Sequence, residues 1–210
     1  IMRNAIGKFL LLVAVGVIAI ACKDNKPKTP STYKIEINIE QGEKYAHIMD
    51  SVEIFYYDKD FKAIPLQRVP YNNGKFTFEL EDTIKNENLK TIVEYYSPQQ
   101  IGDSAVISDR TTLITELGIK GTKLGQMKNI TFNPLFTVYG AKSSSGVYVH
   151  VNKNCEVTMD KVIGPQRYVF NLKLVKGYNF IQNIQSVENG MMKTVYTTQQ
   201  QGKLSWSIWQ

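Results

Sequence analysis

From Tyr33 to Glu40 the chain alternates apolar and polar side chains without a miss: Tyr33-Lys34-Ile35-Glu36-Ile37-Asn38-Ile39-Glu40. A period of two sends successive side chains to opposite faces of an extended strand. Such a segment fits a sheet with one face on a core and the other in water. The pattern recurs along the chain. Ser51–Tyr57 is rich in β-branched and aromatic residues, which suit a pleated surface. Asp58-Lys59-Asp60 reads as a turn and Ala63–Val69 as the returning strand, where Pro65 requires an edge or a bulge. Asn73-Gly74, inside Tyr71–Lys75, is the clearest hairpin signal, because both residues tolerate positive φ. Lys75–Leu80 alternates again, and Lys90–Tyr96 closes the group.

The second half predicts strands over Asn129–Val138, Gly146–Val151, Glu156–Val162, Tyr168–Val175, Asn179–Gln185, Lys193–Thr198 and Leu204–Trp209. Val147, Val149 and Val151 face one way, Tyr148 and His150 the other. Turns are expected at Ser143–Gly146, Gly164-Pro165, Lys176-Gly177, Asn189-Gly190 and Gly202-Lys203. Short strands at near-regular spacing make the chain all-β, of sandwich or barrel type. Residues 33–97 form a first β domain in this reading, and 129–210 a second, sandwich or barrel-like one. The stretch 98–128 is a linker or inter-sheet crossover, with an apolar run Thr111–Leu117 and a loop punctuated by Gly118, Gly121 and Gly125.

Ahead of the β body stand Arg3 and Lys8, an apolar run Phe9–Ala21, then Cys22 and the polar stretch Lys23–Pro30. The run is 13 residues long, whereas a spanning helix needs about 20. It has the size of a signal-peptide core. Ala19-Ile20-Ala21-Cys22 resembles the lipobox of bacterial lipoproteins, with Ala19 where leucine is commonest. The resemblance implies a signal peptide over 1–21, a mature chain starting at an acylated (palmitate-type) Cys22, and a tether over 22–32. The competing readings are an uncleaved anchor, or a secretory signal with an incidental cysteine. Two or more acyl chains hold a protein stably on a bilayer, so the expected partner of the N-terminus is the membrane.

Of the formal charge of +6, Arg3 and Lys8 supply two, leaving +4 on the mature chain. That charge is too mild and dispersed for a nucleic-acid binder, which carries a basic stripe. With Cys22 acylated, Cys155 lacks a partner for an internal disulfide and reads as a small buried hydrophobe or a reactive thiol.

No motif announces chemistry. His47 and His150 stand at no metal-ligand spacing, so neither metal nor cofactor is expected, and a His150–Cys155 pairing has only sequence proximity behind it. Lys142-Ser143-Ser144-Ser145-Gly146 lacks the pattern of a nucleophile elbow. Glu79, Glu81, Asp82 and Glu94 are the carboxylates a glycosidase could pair. Aromatics are the one positive hint: Phe55-Tyr56-Tyr57, Tyr95-Tyr96 and Trp206/Trp209 place rings on both faces of their strands. One face fills the core; the other is free to stack on sugar rings or dock a protein.

Two further resemblances narrow the class. The order strand, acidic turn, strand, then Asn73-Gly74-Lys75-Phe76-Thr77-Phe78 resembles small immunoglobulin-like or transthyretin-like sandwich domains. The closing segments Lys176–Asn179 and Gly202–Trp206 resemble those of surface lipoproteins of Bacteroidota-type bacteria. Such bacteria O-glycosylate Asp-Ser/Thr pairs followed by a small or apolar residue, which marks Ser51, Thr83 and Ser104 as candidate acceptors. Lys23-Asp24 imperfectly resembles their surface-export signals, so outer-membrane attachment is expected on either the periplasmic or the external side. The expected function is a non-enzymatic binding or assembly module, partnered by an outer-membrane complex or a glycan. The alternative is a lipid-anchored hydrolase acting on glycans.

Overall fold

A computed structural model of the chain describes residues 32–96, 101, 104–123 and 126–209, the side chains of 126–129 and 209 excepted. The signal, Cys22, all of the tether but Thr32, and Asp103 lie outside the described residues. In chain order the strands of the first half are β1 (Tyr33–Asn38), β2 (Ser51–Tyr57), β3 (Ala63–Pro70), β4 (Lys75–Leu80) and β5 (Lys90–Thr91). A single helical turn, α1 (Ile92–Tyr95), follows, then β6 (Val106–Ile107) and β7 (Leu113–Lys123). The second half carries β8 (Gln126–Thr137), β9 (Ser143–Val151), β10 (Cys155–Ile163) and β11 (Gln166–Leu174). It ends with β12 (Gly177–Glu188), β13 (Met191–Thr197) and β14 (Lys203–Trp209). The all-β class read from the alternation is what the chain adopts.

β1 and β4 make a two-stranded sheet, and the remaining strands a 12-stranded one whose main path runs β3-β2-β7-β8-β9-β12-β13-β11-β10-β6. β7 is its pivot. Leu117–Thr122 pairs with β2 on one edge, while on the other Ile114–Leu117 pairs with β9 and Lys120–Lys123 with β8. The two faces of β7 serve different cores. Leu117 and Ile119 join Val52, Ile54, Phe78 and Ile35 in a core capped by β1 and β4. Ile114, on the opposite face, joins Val149, Val151 and Ile181 against Val157, Phe170 and Leu172 of β10 and β11. The large sheet therefore folds back past the β12–β13 hairpin and covers its own second face.

Several expectations change in detail. Asn73 and Gly74 do adopt φ of 47° and 91°. They make the expected tight turn, closed by the antiparallel bridge between Asn72 and Lys75, but the strands on either side part to different sheets, because β3 pairs with β2 and β4 with β1. Gly118 and Gly121 lie inside β7, in the stretch 98–128, and not in a loop. A Cβ on Gly118 would stand 2.3 Å from Cζ of Phe55, so the missing side chain lets that ring lie on the strand. Ser143–Gly146 is the first part of β9 rather than a turn: Ser144 is buried under the Gln182 amide, 2.9 Å away, and Gly146 underlies the Phe180 ring. Lys90–Tyr96 is not one strand, as only Lys90 and Thr91 are extended before α1 begins. Pro65 does sit on an edge strand, opposite the register shift between Ile54 and Phe55.

Candidate ligand-binding cleft

A cleft of about 390 Å³ opens beside the first residues of β7. That volume falls within the range typical of small-molecule sites, roughly 300–1,000 Å³. Four segments build its walls. β2 and the turn after it bring Tyr57, Asp58 and Phe61; β5 and α1 bring Lys90, Glu94, Tyr95 and Tyr96; β7 brings Ile114–Glu116; and β13 brings Tyr196. The paired aromatics Tyr57 and Tyr95-Tyr96, singled out by sequence, are thus brought together, while Tyr56 on the opposite face of β2 enters the first core.

The aromatic wall is braced from behind. Tyr96 meets Tyr95, Phe170 and Tyr196 edge-on at centroid distances of 4.9, 5.0 and 5.6 Å, and Phe170 stacks on Tyr196 at 4.5 Å. α1 holds its place through a reciprocal cap. The Thr91 backbone and hydroxyl each donate to Glu94 Oε2 at 2.7 Å, and the Glu94 N–H donates to Thr91 Oγ1 at 3.3 Å. At the mouth, Asp58 Oδ1 accepts from the N–H groups of Asp60 (2.9 Å) and Lys62 (2.8 Å). This turn carries Phe61 in the left-handed region, φ 60°, with its side chain 76% exposed. Lys90 Nζ lies 3.4 Å from the centroid of that ring, a cation–π contact.

Glu94 and Asp58 therefore spend their carboxylates on the cap and the turn. Glu116, half-buried in the cleft floor, is different. Tyr95 Oη donates to its Oε2 at 3.0 Å, and no cationic side chain pairs with it among the described residues. Burial pushes the Glu116 carboxyl above the usual range, with the Tyr95 hydrogen bond opposing. Burial, and next the negative charge of Glu116, push the Tyr95 hydroxyl well above its ordinary value. A second hollow of about 150 Å³ continues the cleft, sharing Tyr57 and Glu116 and reaching Phe55, Lys120 and Asn133.

The other sequence candidates lie elsewhere. Glu79 and Glu81 border a separate hollow of about 220 Å³. Asp82 turns to His150, its Oδ1 2.6 Å from Nε2 of that buried ring. Burial lowers the His150 pKa, and the contact with Asp82 opposes the shift. His47 is exposed. Cys155 is buried in the second core with its Sγ 3.9 Å from Ser108 Oγ. Among the described residues no group of three or more His, Cys, Asp or Glu gathers as a metal site, and no helix is long and apolar enough to cross a membrane. Thr83 and Ser104 are exposed, whereas Ser51 is half-buried with its hydroxyl between Asp50 Oδ1 (2.9 Å) and Thr122 Oγ1 (2.7 Å). Trp206 packs against the first core.

Sequence reasoning missed Glu116, Phe61, Lys90 and Tyr196. Glu116 and Tyr196 carry only the signal of a strand, Phe61 lies in a turn and Lys90 opens a two-residue strand, and none of these says which distant segments meet. Compared with known proteins, the chain matches no family, no curated protein and no solved structure.

Proposed function

We propose that this chain is a lipid-anchored, non-enzymatic binding module of the outer membrane or cell surface, and that it captures a glycan in the cleft between β2, α1, β7 and β13. One observation carries the reading. The cleft presents aromatic rings to solvent, while two of its three carboxylates, Asp58 and Glu94, are held by backbone N–H groups. Rings that offer a flat apolar face, bordered by a few fixed polar groups, suit a sugar, whose C–H face stacks and whose hydroxyls need acceptors. Glu116 and Tyr95 supply such groups at the cleft floor. The anchor at Cys22 accounts for a module that holds a ligand at a surface rather than releasing it to bulk.

The test uses the full-length protein recovered from membranes in detergent. Recovery in that fraction, lost in Cys22→Ala, checks the anchor. Calorimetric titration with a panel of oligosaccharides checks the cleft. A saccharide that binds the parent chain and loses about tenfold or more in affinity in Tyr57→Ala supports the reading, since covering a large apolar side chain contributes on the order of 1.5–3 kcal/mol. Absence of binding across the panel sinks it. New reducing ends during the titration would favour the hydrolase instead.

A further inference from the structure

We propose that the glycan taken by this cleft carries a free amine, whose ammonium pairs with Glu116 while its sugar rings lie on Tyr57 and Phe61. The inference rests on the glycan reading above and names the chemical class within it.

Charge is the first ground. A chain with a formal excess of bases lines this cleft with three acids, Asp58, Glu94 and Glu116, against one lysine. Such a site disfavours sulfated, phosphorylated or uronic sugars and accepts a cation. Glu116 is the second ground. A half-buried carboxylate with a tyrosine hydroxyl but no cation beside it bears a desolvation cost that an incoming ammonium would relieve. The third is the ring wall itself. Phe61 is 76% exposed even with the Lys90 ammonium 3.4 Å from its centroid, so ring surface remains to carry the sugar while the ligand's own ammonium goes to Glu116. A neutral sugar would use the stacking faces and leave the Glu116 charge unmatched.

The charged and titratable groups around Glu116 are Tyr95 and Glu94 from α1, Tyr57 from β2 and Asp58 from the turn after it, Lys90 from β5 and Tyr196 from β13, with Tyr148 of β9 and Lys120 of β7 on the side of the adjoining hollow, where Lys120 is paired with Glu53 at 2.9 Å. With Glu116 the carboxyl pushed up by burial, amine binding strengthens as rising pH ionises it. Binding weakens again once the amine loses its own proton.

Three trisaccharides of one backbone separate the outcomes: β-1,4-linked glucosamine, its N-acetylated form and cellotriose, titrated into the full-length protein from about pH 4 to 9. The amine trimer should bind about 10- to 100-fold more tightly than the other two near neutrality, the worth of a charge-assisted contact. Its affinity should fall towards both ends of the pH range while the neutral trimers stay flat. Glu116→Gln should bring the ratio of amine to neutral affinity down to about one, and Phe61→Ala, at an exposed position, should weaken all binders. Equal affinity for all three, or a preference that survives Glu116→Gln, overturns the amine assignment and leaves the glycan reading standing. Binding of none of them overturns the amine assignment, and the wider panel then decides the glycan reading separately.

Discussion

Glu116 shows at the scale of one residue what a half-buried carboxylate with no cation beside it costs. Its carboxyl has a raised pKa in the folded chain because burial disfavours the charge. The folded state therefore holds this proton more tightly than the unfolded state does. Stability falls as pH rises from the ordinary carboxyl value of 4.5 through the raised folded value, and the penalty is complete above both. Glu116→Gln removes the charge and keeps the shape. The variant should be more stable than the parent chain at pH 7, with the advantage shrinking to nothing as pH drops below 4.5. Urea denaturation of both chains across that range measures it. A variant less stable than the parent at pH 7 would mean that Glu116 is held by a favourable contact in the unliganded fold. No pattern in the sequence distinguishes this glutamate from Glu79 or Glu81. What sets it apart is the company of Tyr57, Tyr95 and Tyr196, brought beside it by segments far away in the chain.

At the scale of elements, α1 is one turn long, too short to persist on helix propensity alone. Its reciprocal cap between Thr91 and Glu94 and the burial of Ile92 and Tyr96 hold it in place. Thr91→Ala removes the side-chain half of that cap and should cost about 1 kcal/mol in denaturant stability. Because α1 carries Tyr95 and Tyr96, the same change should weaken saccharide binding, measured by the same titration as the parent. Unchanged affinity would separate the cleft from the cap. The spacing of Thr91 and Glu94 is that of a capping box, but the β-branched run Thr91-Ile92-Val93 favours a strand, and Lys90–Tyr96 reads as one. By contrast Lys75–Leu80 is legible to the residue because it holds an alternating face against the first core, and Ser51–Tyr57 is legible from its β-branched and aromatic residues, which suit a strand buried on both faces. The partnering of strands was not legible. The turn at Asn73-Gly74 looks alike whether it joins one sheet or two, and only the packing of β4 over Ile54 and Leu117 decides for two.

For the whole molecule the consequential element is β7. Its hydrogen bonds reach β2 and β5 on one edge and β8 and β9 on the other, and its two faces enter different cores. Gly118 and Gly121, so easily read as loop residues, are what admit Phe55, Met49 and Ile130 close to the strand. Neither core can lose β7 without opening both its faces, so the two should unfold together. Each core carries its own reporter. Trp206 packs against the first, and Cys155 is buried in the second. In a Trp209→Phe background, tryptophan emission should follow the first core and thiol labelling of Cys155 the second along one denaturant series. The two curves should coincide. Ile114→Ala on the second-core face and Leu117→Ala on the first-core face should each destabilise both signals together, by about 2–5 kcal/mol. If Ile114→Ala instead exposed Cys155 while leaving the Trp206 transition in place, the cores would be separate folding units. The cleft, which draws residues from β2, α1, β7 and β13, would then lie across a boundary between them.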